Sequence, residues 1–89
     1  MRVKTSLDWD PIATELRGKM HAAPAVCRKD LARMIGTIVG MVQRLGQEEV
    51  ELRRNKKDTG PKHQDLVERI NEAIDDFEKW LMFAYLSHG

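Results

Sequence analysis

The sequence predicts an all-α protein: an antiparallel helical hairpin over residues 26–55 and 62–87, crossed by a short N-terminal helix over residues 10–22. Three observations predict it. Apolar residues return at alternating four- and three-residue steps through the second and third segments, the period of a helix face packed on another helix. Gly60-Pro61, ending a polar stretch, separates two such segments of similar length, as the turn of a hairpin does. No run alternates apolar and polar residues with the period of a strand.

The first helix starts at Asp10-Pro11, an acceptor at the N-cap followed by a proline whose missing N–H is not needed in the first turn. Ile12, Leu16 and Met20 recur every four residues as one apolar stripe, and Pro24 stops the helix by pushing the residue before it out of helical geometry. Residues 1–7 read as a flexible, frayed tail or a short edge segment.

The second helix carries its seam on Leu31, Ile35, Ile38, Val42, Leu45 and Leu52, with Glu49 in the one polar slot and Met34 and Met41 widening one side. Gly36 and Gly40 stand roughly opposite, in line with Ala32. Each mid-helix glycine costs about 1 kcal/mol against alanine. Two of them, four apart, point to close approach by another helix; the alternative is a helix break at one of them. The third helix repeats the spacing on Leu66, Ile70, Ala73, Phe77, Trp80 and Ala84. Residues 80–86 are then apolar on every side, more than one hairpin partner can cover. Together with the glycine line this points to homo-oligomerisation through Gly36, Gly40, Trp80, Phe83 and Tyr85, most simply a dimer that completes a larger helical bundle.

Composition narrows the function classes. The 89 residues make one small domain, and 42% apolar content is that of a globular chain rather than a disordered one. Fifteen Lys and Arg against fourteen Asp and Glu leave a net charge of +1, so no overall field draws the chain to nucleic acid or to a membrane surface. No apolar run approaches the roughly 20 residues of a membrane span, and residues 1–7 lack the apolar core of a signal peptide. A single cysteine, Cys27, rules out an internal disulfide framework and suits the cytoplasm; a buried, idle thiol is its default role. His21, His63 and His88 are dispersed without metal-ligand spacing. Trp9 and Trp80 read as core anchors. Phosphate-cradling glycine loops and serine nucleophile motifs are both missing.

The constellation with a chemistry attached is acidic. Glu48-x-x-Glu51 and Glu72-x-x-Asp75 place two carboxylates three apart on each hairpin helix. Measured from the predicted seams, both pairs fall on one side of the hairpin, at broadly similar heights on either side of the turn. Four carboxylates from two neighbouring helices suit a hard divalent cation such as magnesium. The alternative is a solvated acidic face. Arg53, Arg54, Lys56 and Lys57 form the densest basic patch, which is either a phosphate contact or a solvated helix end whose cations complement the exposed carbonyls.

The two pairs and their surroundings resemble the all-α nucleoside triphosphate pyrophosphohydrolases, including the MazG-like and phosphoribosyl-ATP pyrophosphohydrolase proteins. The resemblance is carried by residues 41–52, Met-Val-Gln-Arg-Leu-Gly-Gln-Glu-Glu-Val-Glu-Leu, and by residues 70–86, where Glu72-Ala73-Ile74-Asp75 leads into an aromatic and aliphatic run. The chain departs from the family pattern at Gln47, where another acid is common, and at Asp76, where an apolar residue is usual. The resemblance implies magnesium-dependent hydrolysis between the α and β phosphates of a nucleotide, or nucleotide binding without cleavage. Glu48, Glu51, Glu72 and Asp75 would hold the metal, and Arg44, Lys56 and Lys57 would steady the phosphates.

A second class stands beside it: a non-catalytic helical inhibitor or adaptor that meets a protein partner through its apolar helix faces and basic turn. The third helix is similar, through Leu66, Ile70, Glu72 and Ala73, to phage counter-defence helical hairpins that sequester cyclic nucleotide signals.

Overall fold

The computed structural model describes residues 2–55 and 61–88, which form three α-helices and, among the described residues, no strand: α1 (Trp9–Ala22), α2 (Ala25–Asn55) and α3 (Pro61–His88). α2 and α3 make the antiparallel hairpin that the spacing predicts, in a body 50 Å long and 18 × 17 Å across. A single 3-10 turn, Ser6–Asp8, precedes α1.

α1 begins one residue earlier than predicted, directly after the 3-10 turn that closes on Asp8. Asp8 Oδ2 accepts the backbone N–H groups of Lys4 and Thr5 at 3.2 and 3.1 Å. Pro11 stays inside the first turn, where no N–H is required. At the other end Ala23 is extended (φ −76°, ψ 159°) ahead of Pro24, its N–H closing on the carbonyl of Met20. The short corner lets α1 fold back on α2, where Trp9, Ile12, Ala13 and Leu16 are buried.

The seam of α2 is as spaced: Leu31, Ile35, Ile38, Val42 and Leu45 are buried, and Cys27 joins them. That of α3 is turned. Ile74 and Leu81 are in the core with Leu66, Ile70, Phe77 and Ala84, while Ala73 and Trp80 stand half-buried at its edge. The reason is that α3 has two neighbours. Besides α2 it packs under the N-terminal segment, so its buried arc is displaced by about 45° toward Asn71 and α1, counting about 100° per residue.

In the N-terminal segment Val3 is buried, and both its backbone polar groups are bonded to Asn71 on α3. Burial of an aliphatic side chain is worth about 1.5–3 kcal/mol, enough to hold a short segment whose backbone is also satisfied.

These contacts give the hairpin two unlike sides. One is covered: Ser6 lies 3.6 Å from where a Cβ on Gly46 would sit, Val3 is on Asn71, and Lys19 Nζ is 3.7 Å from Glu78 Oε1. The other is bare. There Met34 and Met41 of α2 and Ala73 and Trp80 of α3 pack on the core from the outside, half-exposed.

Candidate functional site

The acidic pairs are distributed, not gathered. Glu48 lines a shallow hollow on the bare side of the hairpin with Arg44, Asp65, Leu66 and Arg69. Glu51, less than a turn further on, belongs to a different hollow on the outer surface of α2, with Gln43, Gly46, Gln47, Val50 and Arg54. Glu72 and Asp75 are exposed on α3 and line neither. The turned seam explains this. Rotating α3 by about 45° carries Asp75 toward the covered side and leaves Glu72 on the outer surface, away from Glu48. Among the described residues, no group of three or more His, Cys, Asp or Glu stands where it could hold a metal ion.

The hollow that brings Arg44 and Glu48 together is amphoteric. Asp65 Oδ2 already lies 3.2 Å from Arg69 Nε, so the two acids and two guanidiniums are placed to answer one another. Lys56 and Lys57, the other expected phosphate contacts, lie outside the described residues. Gly36 and Gly40 are exposed, and a Cβ added to either would meet no atom within 4 Å, so no helix of the same chain packs there.

Two polar clusters escaped the sequence reading. Glu49, in the polar slot of the α2 seam, accepts the backbone N–H of Ser6 at 3.0 Å and its hydroxyl, and its Oε1 stands 3.5 Å from His63 Nε2. Asn71 holds Val3. A lone acid on an apolar seam was the signal for the first. Nothing in the periodicity marks Asn71, whose partner is 68 residues away.

The largest chemical anomaly of the surface is apolar. Near the end of α3, Met82, Phe83, Tyr85 and Leu86 are 65, 63, 43 and 80% exposed. Trp80 and Phe83 lean on each other, ring centroids 6.1 Å apart and planes tilted by 59°. Met82, Tyr85 and Leu86 shape a hollow with Leu81, rimmed by Lys19 and Glu78. Val26, 72% exposed at the start of α2, adds to the same end of the bundle. No helix among the described residues is long and apolar enough to cross a membrane. No family model, curated protein or solved structure matches this chain.

Proposed function

We propose that this chain is a non-catalytic helical interaction protein, an inhibitor or adaptor that covers part of a protein partner with the apolar tip of α3. One observation carries the reading: four large apolar side chains exposed within five residues at one end of the bundle, with a charged rim at Lys19 and Glu78. An aromatic and aliphatic cluster inside a polar rim is the usual anatomy of a binding surface. The magnesium-dependent pyrophosphohydrolase reading would need Glu48, Glu51, Glu72 and Asp75 on one ion, and the positions of these side chains give it no support.

The two readings separate in thermal melting with and without magnesium and a nucleoside triphosphate, with pyrophosphate release followed alongside. The interaction reading expects neither a shift nor release. A raised melting temperature, required of any ligand that binds only the native form, together with release lost in Glu51→Gln and Asp75→Asn, overturns it. The positive arm compares the immobilised chain with its Met82→Glu variant. The expected outcome is a bound protein that the variant, still helical by circular dichroism, fails to retain.

A further inference from the structure

We propose that the side of the hairpin that holds the N-terminal segment is a receptor for an extended stretch of a partner protein, and that residues 2–8 occupy it as an internal competitor. The ligand it fits carries an aliphatic residue followed, three positions on, by a serine. The site is separate from the apolar tip of α3 and does not depend on what that tip covers.

The segment is held by its main chain. Asn71, only 5% exposed, accepts the Val3 N–H at 2.7 Å and donates to the Val3 carbonyl at 2.9 Å. Glu49 accepts the Ser6 N–H at 3.0 Å together with the Ser6 hydroxyl, and its Oε1 is 3.5 Å from His63 Nε2. Ser6 packs over Gly46, 3.6 Å from where a Cβ there would stand. Between the two clamps Thr5 is extended (φ −138°, ψ 168°). Only two side chains are selected, the aliphatic one in the Val3 socket and the hydroxyl on Glu49. Arg2, Lys4, Thr5 and Leu7 face solvent and are not read. Main-chain bonds for affinity and a few side-chain sockets for selectivity are how extended peptides are bound by other proteins.

The receptor outlasts its occupant. Gly46, Glu49, His63 and Asn71 all belong to α2 and α3, which pack on each other through their own seams. Among the described residues Val3 is the only buried side chain ahead of Trp9, so the segment can open without parting the helices. Opening frees an amide and a carboxylate already aimed at a main chain. Covalent attachment keeps the segment beside the groove at an effective concentration of about a millimolar. A ligand of equal strength therefore displaces it only at comparable concentration, and the segment sets the threshold for entry.

The test uses the isotope-labelled full chain and a free peptide of residues 2–8, Arg-Val-Lys-Thr-Ser-Leu-Asp, blocked at both ends. Val3→Asp sets a charge in the aliphatic socket and detaches the segment; Val3→Ala takes its place if circular dichroism shows lost helicity. In the variant, about millimolar peptide should shift the Asn71 side-chain amide and the Gly46 backbone amide saturably. In the wild type, half-saturation should need about tenfold more peptide, and the Val3 amide of the chain should lose its bonded shift while the Asn71 amide keeps its own. A peptide of the same residues in shuffled order should shift nothing. Met82→Glu, which alters the tip alone, should leave these shifts unchanged, so failure of the tip reading and failure of this site are told apart. The proposal is overturned if the peptide leaves the variant's spectrum unmoved, or if the shuffled peptide binds as well. It is also overturned if the wild type sediments as pairs of chains that Val3→Asp separates, which would make the occupant a second copy.

Discussion

Asn71 treats Val3 as a neighbouring strand would: its Oδ1 accepts the Val3 N–H at 2.7 Å, and its Nδ2 donates to the Val3 carbonyl at 2.9 Å. One amide side chain satisfies both polar groups of a buried backbone unit at a place where no secondary structure reaches it. Replacing it with leucine leaves two backbone groups without partners, each worth about 1–3 kcal/mol when buried. The segment can escape that penalty by leaving the core, which forfeits the burial of Val3 instead. Asn71→Leu should therefore destabilise the chain by about 2–3 kcal/mol in urea denaturation. Hydrogen exchange at the Val3 amide should lose its protection. A loss confined to a few tenths of a kcal/mol would mean that the segment contributes nothing to the native bundle.

Glu49 ties the same segment to both hairpin helices, through Ser6 on one side and His63 on the other. Hydrogen bonds to a charged group contribute about 1.5–3 kcal/mol. Its side chain is 18% exposed, so solvent recovers part of that. Glu49→Ala should cost about 2 kcal/mol by chemical denaturation, whereas Glu49→Gln, which keeps an oxygen for the Ser6 N–H, should cost about half as much. Ser6→Ala combined with Glu49→Gln should lose less than the two single changes added together, because the pair shares one bond.

These two clusters also show where sequence reasoning runs out. The hairpin and its turn are legible because they are periodic: Leu31, Ile35, Ile38, Val42 and Leu45 announce their face by spacing alone. The rotation of α3 is not, because the candidates at its seam, Ala73 and Trp80 against Ile74 and Leu81, are all apolar, and one residue's shift moves the face by about 100°. What decides between them is the N-terminal segment, whose docking depends on a single amide far along the chain. The placement of the acidic pairs inherits that ambiguity. Measured from Ala73 and Trp80, Asp75 falls on the same side of the hairpin as Glu48; measured from the buried Ile74 and Leu81, it does not. Glu49, by contrast, was visible as a polar interruption of the seam, though not what it bonds.

Phe77 and Phe83 stand less than two turns apart on α3 with opposite fates: the first is fully buried and the second 63% exposed. Phe77→Ala should cost about 3–5 kcal/mol, a large part of the roughly 5–15 kcal/mol available to a domain, and should leave the chain partly unfolded at ambient temperature. Phe83→Ala in dilute solution should change stability by no more than about 0.5 kcal/mol. Paired urea melts monitored by helicity check both. Equal effects at the two positions would contradict the orientation of α3.

Gly36 gives the sharpest test of the glycine line on α2. Opposite the seam, an added Cβ would meet nothing within 4 Å, and the residue lies on the outer surface of α2 rather than on the bare side of the hairpin. If that surface faces water, alanine gains helix propensity and loses no packing, so Gly36→Ala should stabilise the chain by about 0.5–1 kcal/mol. Self-association should be unchanged. If instead another helix presses on this line, as the spacing of Gly36 and Gly40 alone would have it, the methyl group holds the two backbones apart, and association should fall even as the isolated chain becomes more stable. Thermal melting and sedimentation of the same variant therefore decide this surface: stability up with mass unchanged assigns the glycine face to solvent.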